Sequence, residues 1–374
     1  MTDQQKAQVA LTVVYRTCQD ALTILSSPEG RTLPDSEAST SPQDLKTLHK
    51  DLTSLLTLLY GSITKIALAL KPSSPTYSAS LTPLKEISDR AAAVAHCALM
   101  FDADIHGITL RQEIIFVIKD VLDGIASLAQ TFLSVSDAND ETYLVRTGAA
   151  HNLIDIAKKA PADNVAAVRK RWTQDKGSIE DGVRELSEMI AEAEAEDDEN
   201  GGDGGEDEDD WGSDGWDELG LSPSRKMDQT ELARSKKGFA LLRFASLLHK
   251  RILQDILNSS DTSAPIPTLD TLPRHSQALL SASDDLIAAL YVPQDPENIR
   301  AELEAFSKVT SALQESLAAF FPPSPPIEIQ LAGMKLEENG SQVAQQGGSS
   351  SAKWFVNCFK QITKGLQDLV QELG

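Results

Sequence analysis

The sequence predicts an all-α protein made of two helical-bundle halves joined by a disordered acidic linker. Three observations carry this. Leu, Ala and Ile dominate the apolar residues while aromatics make up only 5% of 374 residues, a composition suited to helices packed on helices. Long stretches repeat apolar residues at spacings of three and four, and runs of the strand type are nearly absent. The nearest strand candidate is the short Ile327–Leu331. Finally, 15 of the 56 acidic residues fall between Glu192 and Glu218 with no Lys or Arg among them. The boundaries that follow are an N-terminal bundle over 1–192, a linker over 193–226 and a C-terminal bundle over 227–374.

The elements can be justified in order. A first helix over 5–26 ends before Ser26-Ser27-Pro28. Ser41-Pro42 opens a second, since Pro suits the first turn, and Pro72 stops it. Its stripe runs through Leu45, Leu48, Leu52, Leu55, Leu59, Ile63, Ile66 and Leu70. The window Leu52–Leu70 is the most apolar long one, but Lys65 and its Ser, Thr and Gly residues favour a core helix over a membrane span. A third helix is expected from Pro83 to Phe101. The fourth, 108–135, has the clearest pattern: Ile114, Ile118, Val121, Ile125, Leu128, Phe132 and Val135 alternate steps of four and three, marking a central helix. A fifth covers 137–159. The sixth opens at Pro161, runs through Trp172 to Ile190, and is expected to break at Gly177-Ser178.

After the linker, helices are expected at 228–258, 273–291, 296–320 and 352–372. The prolines from Pro322 to Pro326 end the third of these, and a Gly/Ser/Gln stretch over 339–351 reads as a flexible loop. No repeat of fixed length emerges.

Composition narrows the function classes. The net charge is −22, yet outside the acidic run 41 acidic residues face 34 basic ones. The acidity is therefore local, and it argues against direct nucleic-acid binding. Cys18, Cys97 and Cys358 are odd in number and widely spaced, so they form neither a disulfide framework nor a zinc site. The N-terminus MTDQQKAQ lacks an apolar signal core, which points to the cell interior. No phosphate-binding loop, dinucleotide fingerprint, nucleophile elbow or paired-His signature is present. The densest polar cluster is His96-Cys97 with Asp102, Asp104 and His106; it lacks a recurrent ligand spacing, so core and loop roles are expected. No catalytic, cofactor-binding or metal-binding residue is assigned, and the chain is expected not to be an enzyme.

The linker holds the sharper features. Trp211, Trp216, Leu219 and Leu221 punctuate its acidic residues, which keep the segment soluble while the apolar side chains serve as partner anchors. The alternative is that they fold back onto the chain's own helices. Ser222-Pro223-Ser224-Arg225 is a proline-directed phosphorylation pattern, with Ser222 the acceptor. Arg169-Lys170-Arg171-Trp172 reads either as an import or acidic-partner patch or as a solvated helix face with Trp172 turned inward. Arg225-Lys226 and Lys236-Lys237 form a weak bipartite import pattern.

The run DDWGSDGWDELGLSPSRKMDQTELARSKKG, between helical halves of this length, resembles the Grap2 and cyclin-D-interacting protein family, and its Ser/Pro-rich loops are most similar to fungal members. The resemblance implies a nuclear and cytoplasmic regulator that binds D-type cyclins and restrains the cell cycle. It further implies a helix-loop-helix protein without a basic region, which would sequester transcription regulators. Helices 42–71 and 83–101 fit that description, with only Arg31, Lys46, His49 and Lys50 basic or potentially basic over 31–50. The same Leu and Ile stripe also serves as a bundle core, and burial is the favoured expectation. Two other readings compete with the regulator: a cytoskeletal or adhesion-type adaptor, and an acidic chaperone of histones or other basic proteins. Neither membrane binding nor a cofactor is expected.

Overall fold

The computed structural model describes residues 1–27, 44–134, 137, 141–199, 226–258, 264–321 and 345–374. Eleven α-helices and one π-helical turn account for the regular structure of these residues, and none of them forms a strand. They divide into two compact units, Met1–Val168 and Arg169–Gly374. The candidate strand Ile327–Leu331 lies outside the described residues.

In the first unit, α1 (Asp3–Ser26) is opened by a capping box between Thr2 and Gln5. It packs between α3 (Tyr77–Leu99) and α5 (Ile108–Ser134). The second helix, α2 (Leu45–Ala69), packs on α3 and α6 (Thr142–Ala157), and α6 returns to α5. The order α1–α3–α2–α6–α5 thus closes a five-helix ring. Inside it lie Leu48, Leu52, Leu56, Leu59, Ile63 and Ile66 of α2, with Ile114, Ile118, Val121, Ile125 and Leu128 of α5. By length and composition α2 could span a bilayer, but this stripe is buried in the ring's core. The α2 and α3 stripes meet inside the same core, as burial rather than an open helix-loop-helix surface requires.

A short turn of helix, α4 (Ala103–His106), joins α3 to α5. Gly107 follows it at φ 97°, and an added Cβ there would lie 2.1 Å from Asn164 Cγ. That space is taken because Asn164 Oδ1 accepts the Leu110 N–H at 3.0 Å, satisfying an orphan donor at the start of α5. Only glycine meets both demands.

In the second unit, α7 (Asn164–Glu199) packs from Arg169 onward on α8 (Gln229–Ile252) and α9 (Ile266–Ala289), as its bonds to His249 and Ser276 show. A π-helical turn, Leu253–Leu257, prolongs α8. Helix α9 packs on α10 (Pro296–Ala318), and α11 (Gln345–Glu372) packs on both α10 and α8.

Several boundaries differ from the sequence-based expectation. Helix α3 begins at Tyr77, not Pro83, because Tyr77 and Ser80 already face the core and Pro83 is accommodated one turn in. Helix α9 likewise begins at Ile266, where Pro267 suits the first turn and Leu269 and Leu272 are buried ahead of Pro273. Helix α7 is not broken at Gly177-Ser178: Trp172, Ile179 and Leu186 recur every seven residues on one buried stripe, so the helix has no reason to change direction. Helix α11 starts at Gln345, within the stretch expected to be a flexible loop. The packing division at Val168 and Arg169 falls inside α7, upstream of residue 192.

Candidate protein-binding site

The anchors Trp211, Trp216, Leu219 and Leu221, and the acceptor Ser222, lie outside the described residues. What the structure shows is how the chain is gripped on either side of them. Upstream, Glu194 near the end of α7 forms an ion pair with Lys236 of α8 at 2.7 Å. Downstream, Asp228 caps α8 by accepting the Glu231 N–H at 2.8 Å, while Glu231 accepts the Asp228 N–H at 3.0 Å. Asp-x-x-Glu before a helix is a local signal for this capping box, one that the sequence-based expectations passed over.

The sequence did not reveal its second layer. Glu231 is only 4% exposed, and its other carboxylate oxygen accepts the Gln294 N–H at 3.1 Å. The Gln294 side-chain amide donates to Glu231 O, Ser235 Oγ and Leu290 O, each at 3.0 Å. An added Cβ at Gly238 would lie 2.4 Å from Leu290 Cδ1. Residues 228–238 therefore clamp the start of α8 to the end of α9 and the loop before α10.

The basic cluster at 169–172 is turned inward at two of its four residues. Arg169 donates to Leu257 O through Nε at 2.8 Å and Nη2 at 2.5 Å, closing the carbonyl left open by the π-helical turn. Trp172 is fully buried, donates its indole N–H to His249 O at 3.0 Å, and stacks on the His249 ring with centroids 4.4 Å apart. The expectation that Trp172 turns inward holds, whereas Arg169 is a structural cap and not a solvated charge.

His249 heads a chain of polar groups that runs from the core to the half-buried Asp175. Its Nε2 lies 2.9 Å from Ser276 Oγ, and Ser276 donates to Asp175 Oδ2 at 2.5 Å. With the Ser276 proton committed to the carboxylate, its oxygen accepts from a neutral His249 carrying hydrogen on Nε2. Burial, reinforced by the positive charge of Lys176, pushes His249 down to about 4. In this arrangement the serine bridges the histidine and the carboxylate. It is not a nucleophile activated by a base that a carboxylate orients.

The His96-Cys97 cluster is likewise dispersed into structural roles. His96 is exposed, and Cys97 sits buried 3.8 Å from Leu48 O. Asp102 caps α4 through the N–H groups of Asp104 and Ile105. His106 accepts the Asp102 N–H at Nδ1, 3.0 Å away. Among the described residues no group of His, Cys, Asp and Glu is placed to hold a metal ion.

Comparison with known proteins gives this layout a relationship. Residues 51–192 match the model described as Grap2 and cyclin-D-interacting, N-terminal, and residues 207–315 match its C-terminal counterpart. The chain belongs to the Grap2 and cyclin-D-interacting family. The cyclin-D1-binding protein 1 homolog of Xenopus laevis is 27% identical over 265 residues, covering 68% of this chain and 74% of that protein. The family is named for binding and not for a reaction. Its second model begins at residue 207, so the matched span takes in Trp211, Trp216, Leu219, Leu221 and Ser222 together with the Asp228–Gly238 clamp.

Proposed function

We propose that this chain is a non-enzymatic protein-binding regulator that captures a D-type cyclin or a cyclin-like partner. It restrains cell-cycle progression and transcription from the cytoplasm and the nucleus, the latter effect through helix-loop-helix regulators. The observation that carries the reading is the pair of family matches in chain order, supported by a relative named as a cyclin-D1-binding protein. The structure is consistent with a binding role, since the polar clusters that look chemical in the sequence are engaged in capping and packing.

Trp211 and Trp216, with Leu219 and Leu221, provide the anchors. They lie inside the span matched by the C-terminal family model and among carboxylates that hold them in water until a partner groove desolvates them. Phosphorylation at Ser222 adds negative charge beside them and tunes capture.

The test is affinity purification from cell extract with mass spectrometry, comparing the full chain with its Trp211→Ala/Trp216→Ala variant. Cyclins or transcription regulators recovered by the first and lost from the second are the expected result. Unchanged recovery would move the contact onto the helical units. Actin-associated proteins or histones in their place would overturn the regulator reading.

A further inference from the structure

We propose that the outward face of the α8/α11 pair is a docking surface for an acidic peptide segment of a partner protein, one carrying aliphatic residues between its carboxylates. In a chain of net charge −22, α8 holds six Lys or Arg residues and one acidic residue, the buried Glu231. Arg234 is half-buried, and the other five bases fall on two lines. Lys237 and Arg251 face the seam with α11, where they pair with Glu372 and Asp255. Lys236, Arg243 and Lys250, seven residues apart, lie on the next line, which is exposed to water along with Ala240 and Leu247.

Helix α11 runs antiparallel to α8, as Cys358 on Phe244 and Ser351 on Asp255 establish. On the same outer side of the seam it exposes Lys353, Lys360 and Lys364. Two basic ridges thus flank one seam, with charges about 10 Å apart along α8.

Three features select an acidic peptide. Among the described residues Arg243, Lys250, Lys353, Lys360 and Lys364 have no ion-pair partner, so five charges stand ready for an external one. Lys236 already holds a carboxylate, that of Glu194. Leu247 and Val356, 44% and 52% exposed, interrupt the ridges at helical spacing. They offer an amphipathic segment apolar contact that a phosphate backbone could not use.

The surface shares no residue with the linker anchors, and its test needs no cyclin. The purified full chain is titrated against a fluorescein-labelled 16-residue peptide of Glu and Asp with Leu at every fourth position, in low salt, followed by anisotropy. Saturable binding is expected. The Arg243→Glu/Lys360→Glu variant should bind about tenfold more weakly or worse with an unchanged melting temperature. A control of equal net charge, Lys46→Glu/Lys85→Glu, should bind like the parent. The proposal is overturned if the parent chain does not bind, if both variants weaken equally, or if a single-stranded DNA 20-mer binds more tightly than the peptide. None of these outcomes bears on cyclin recovery through Trp211 and Trp216, so the two readings fail separately.

Discussion

Acidification should loosen the second unit, because its core holds a histidine that must stay neutral. His249 is buried against Trp172 and hydrogen-bonded to Ser276, and its pKa lies at about 4 against 6.5 for an ordinary histidine. Between these values the unfolded chain binds a proton that the folded chain refuses, so stability falls as pH drops from above 6.5 toward 4 and this contribution then levels off. A separation of about 2.5 pKa units corresponds to roughly 3 kcal/mol in full, of which about 2 kcal/mol is already lost at pH 5. The perturbation is a pH series from 7.5 to 5 on the parent chain and on His249→Gln, which keeps an amide donor for Ser276 but cannot titrate. The assay is urea unfolding followed by far-UV circular dichroism, with hydrogen exchange in α8 and α9 reporting the second unit alone. The variant should be less stable at pH 7.5 because the ring stack is lost, and the gap should narrow by about 2 kcal/mol at pH 5. Parallel pH profiles would refute the reasoning, since every other titrating group is common to both chains.

Other substitutions test packing and geometry. Trp172→Ala removes a fully buried ring and its bond to His249 O, and should cost about 3–5 kcal/mol in urea titrations. Gly107→Ala forces a Cβ into Asn164 at positive φ and should lower stability by about 1–3 kcal/mol, with exchange rising first at the start of α5. Glu231→Ala breaks the capping box and frees the Gln294 N–H, costing about 1–2 kcal/mol; Glu231→Gln should restore part of it. Burial pushes the Cys18 thiol up to about 12 and those of Cys97 and Cys358 up to about 11. All three should resist iodoacetamide at pH 8 in the folded chain and react promptly in urea; fast labelling of any one under native conditions would contradict its burial.

How much of this was legible depends on whether the signal was local. The α5 stripe was readable outright, because steps of four and three can mark only one helix face, and Ile114 through Leu128 are buried as that face requires. Trp172 was readable as inward for the same reason. Helix starts were less so: Pro83 and Pro273 are strong local punctuation, yet burial of Ser80 and Leu269 upstream outweighs them. Gly177 misled in the same way, since an added Cβ there would meet nothing and a glycine in open space need not mark a bend. The polar chain Asp175–Ser276–His249 was beyond reach, because three helices far apart in sequence supply it and no spacing announces their meeting. The partner anchors were readable as composition alone, and they fall outside the described residues.

The polar groups of the helical units follow one physical logic. A helical bundle satisfies its backbone internally except at helix ends, and in this chain several polar groups suggestive of chemistry are drawn to those ends. Asp102 closes the start of α4, Asp228 and Glu231 that of α8, and Arg169 the π-helical turn. Once spent there, such groups cannot also reach a ligand, because a buried donor or acceptor that leaves its partner costs about 1–3 kcal/mol. The proposed recognition residues are side chains that no described helix end requires. These are the Trp and Leu residues of the acidic run, and the lysines and arginine along α8 and α11 that have no ion-pair partner among the described residues. Substituting them should alter binding with little change in the melting temperature, whereas substituting Arg169 or Glu231 should lower the melting temperature first.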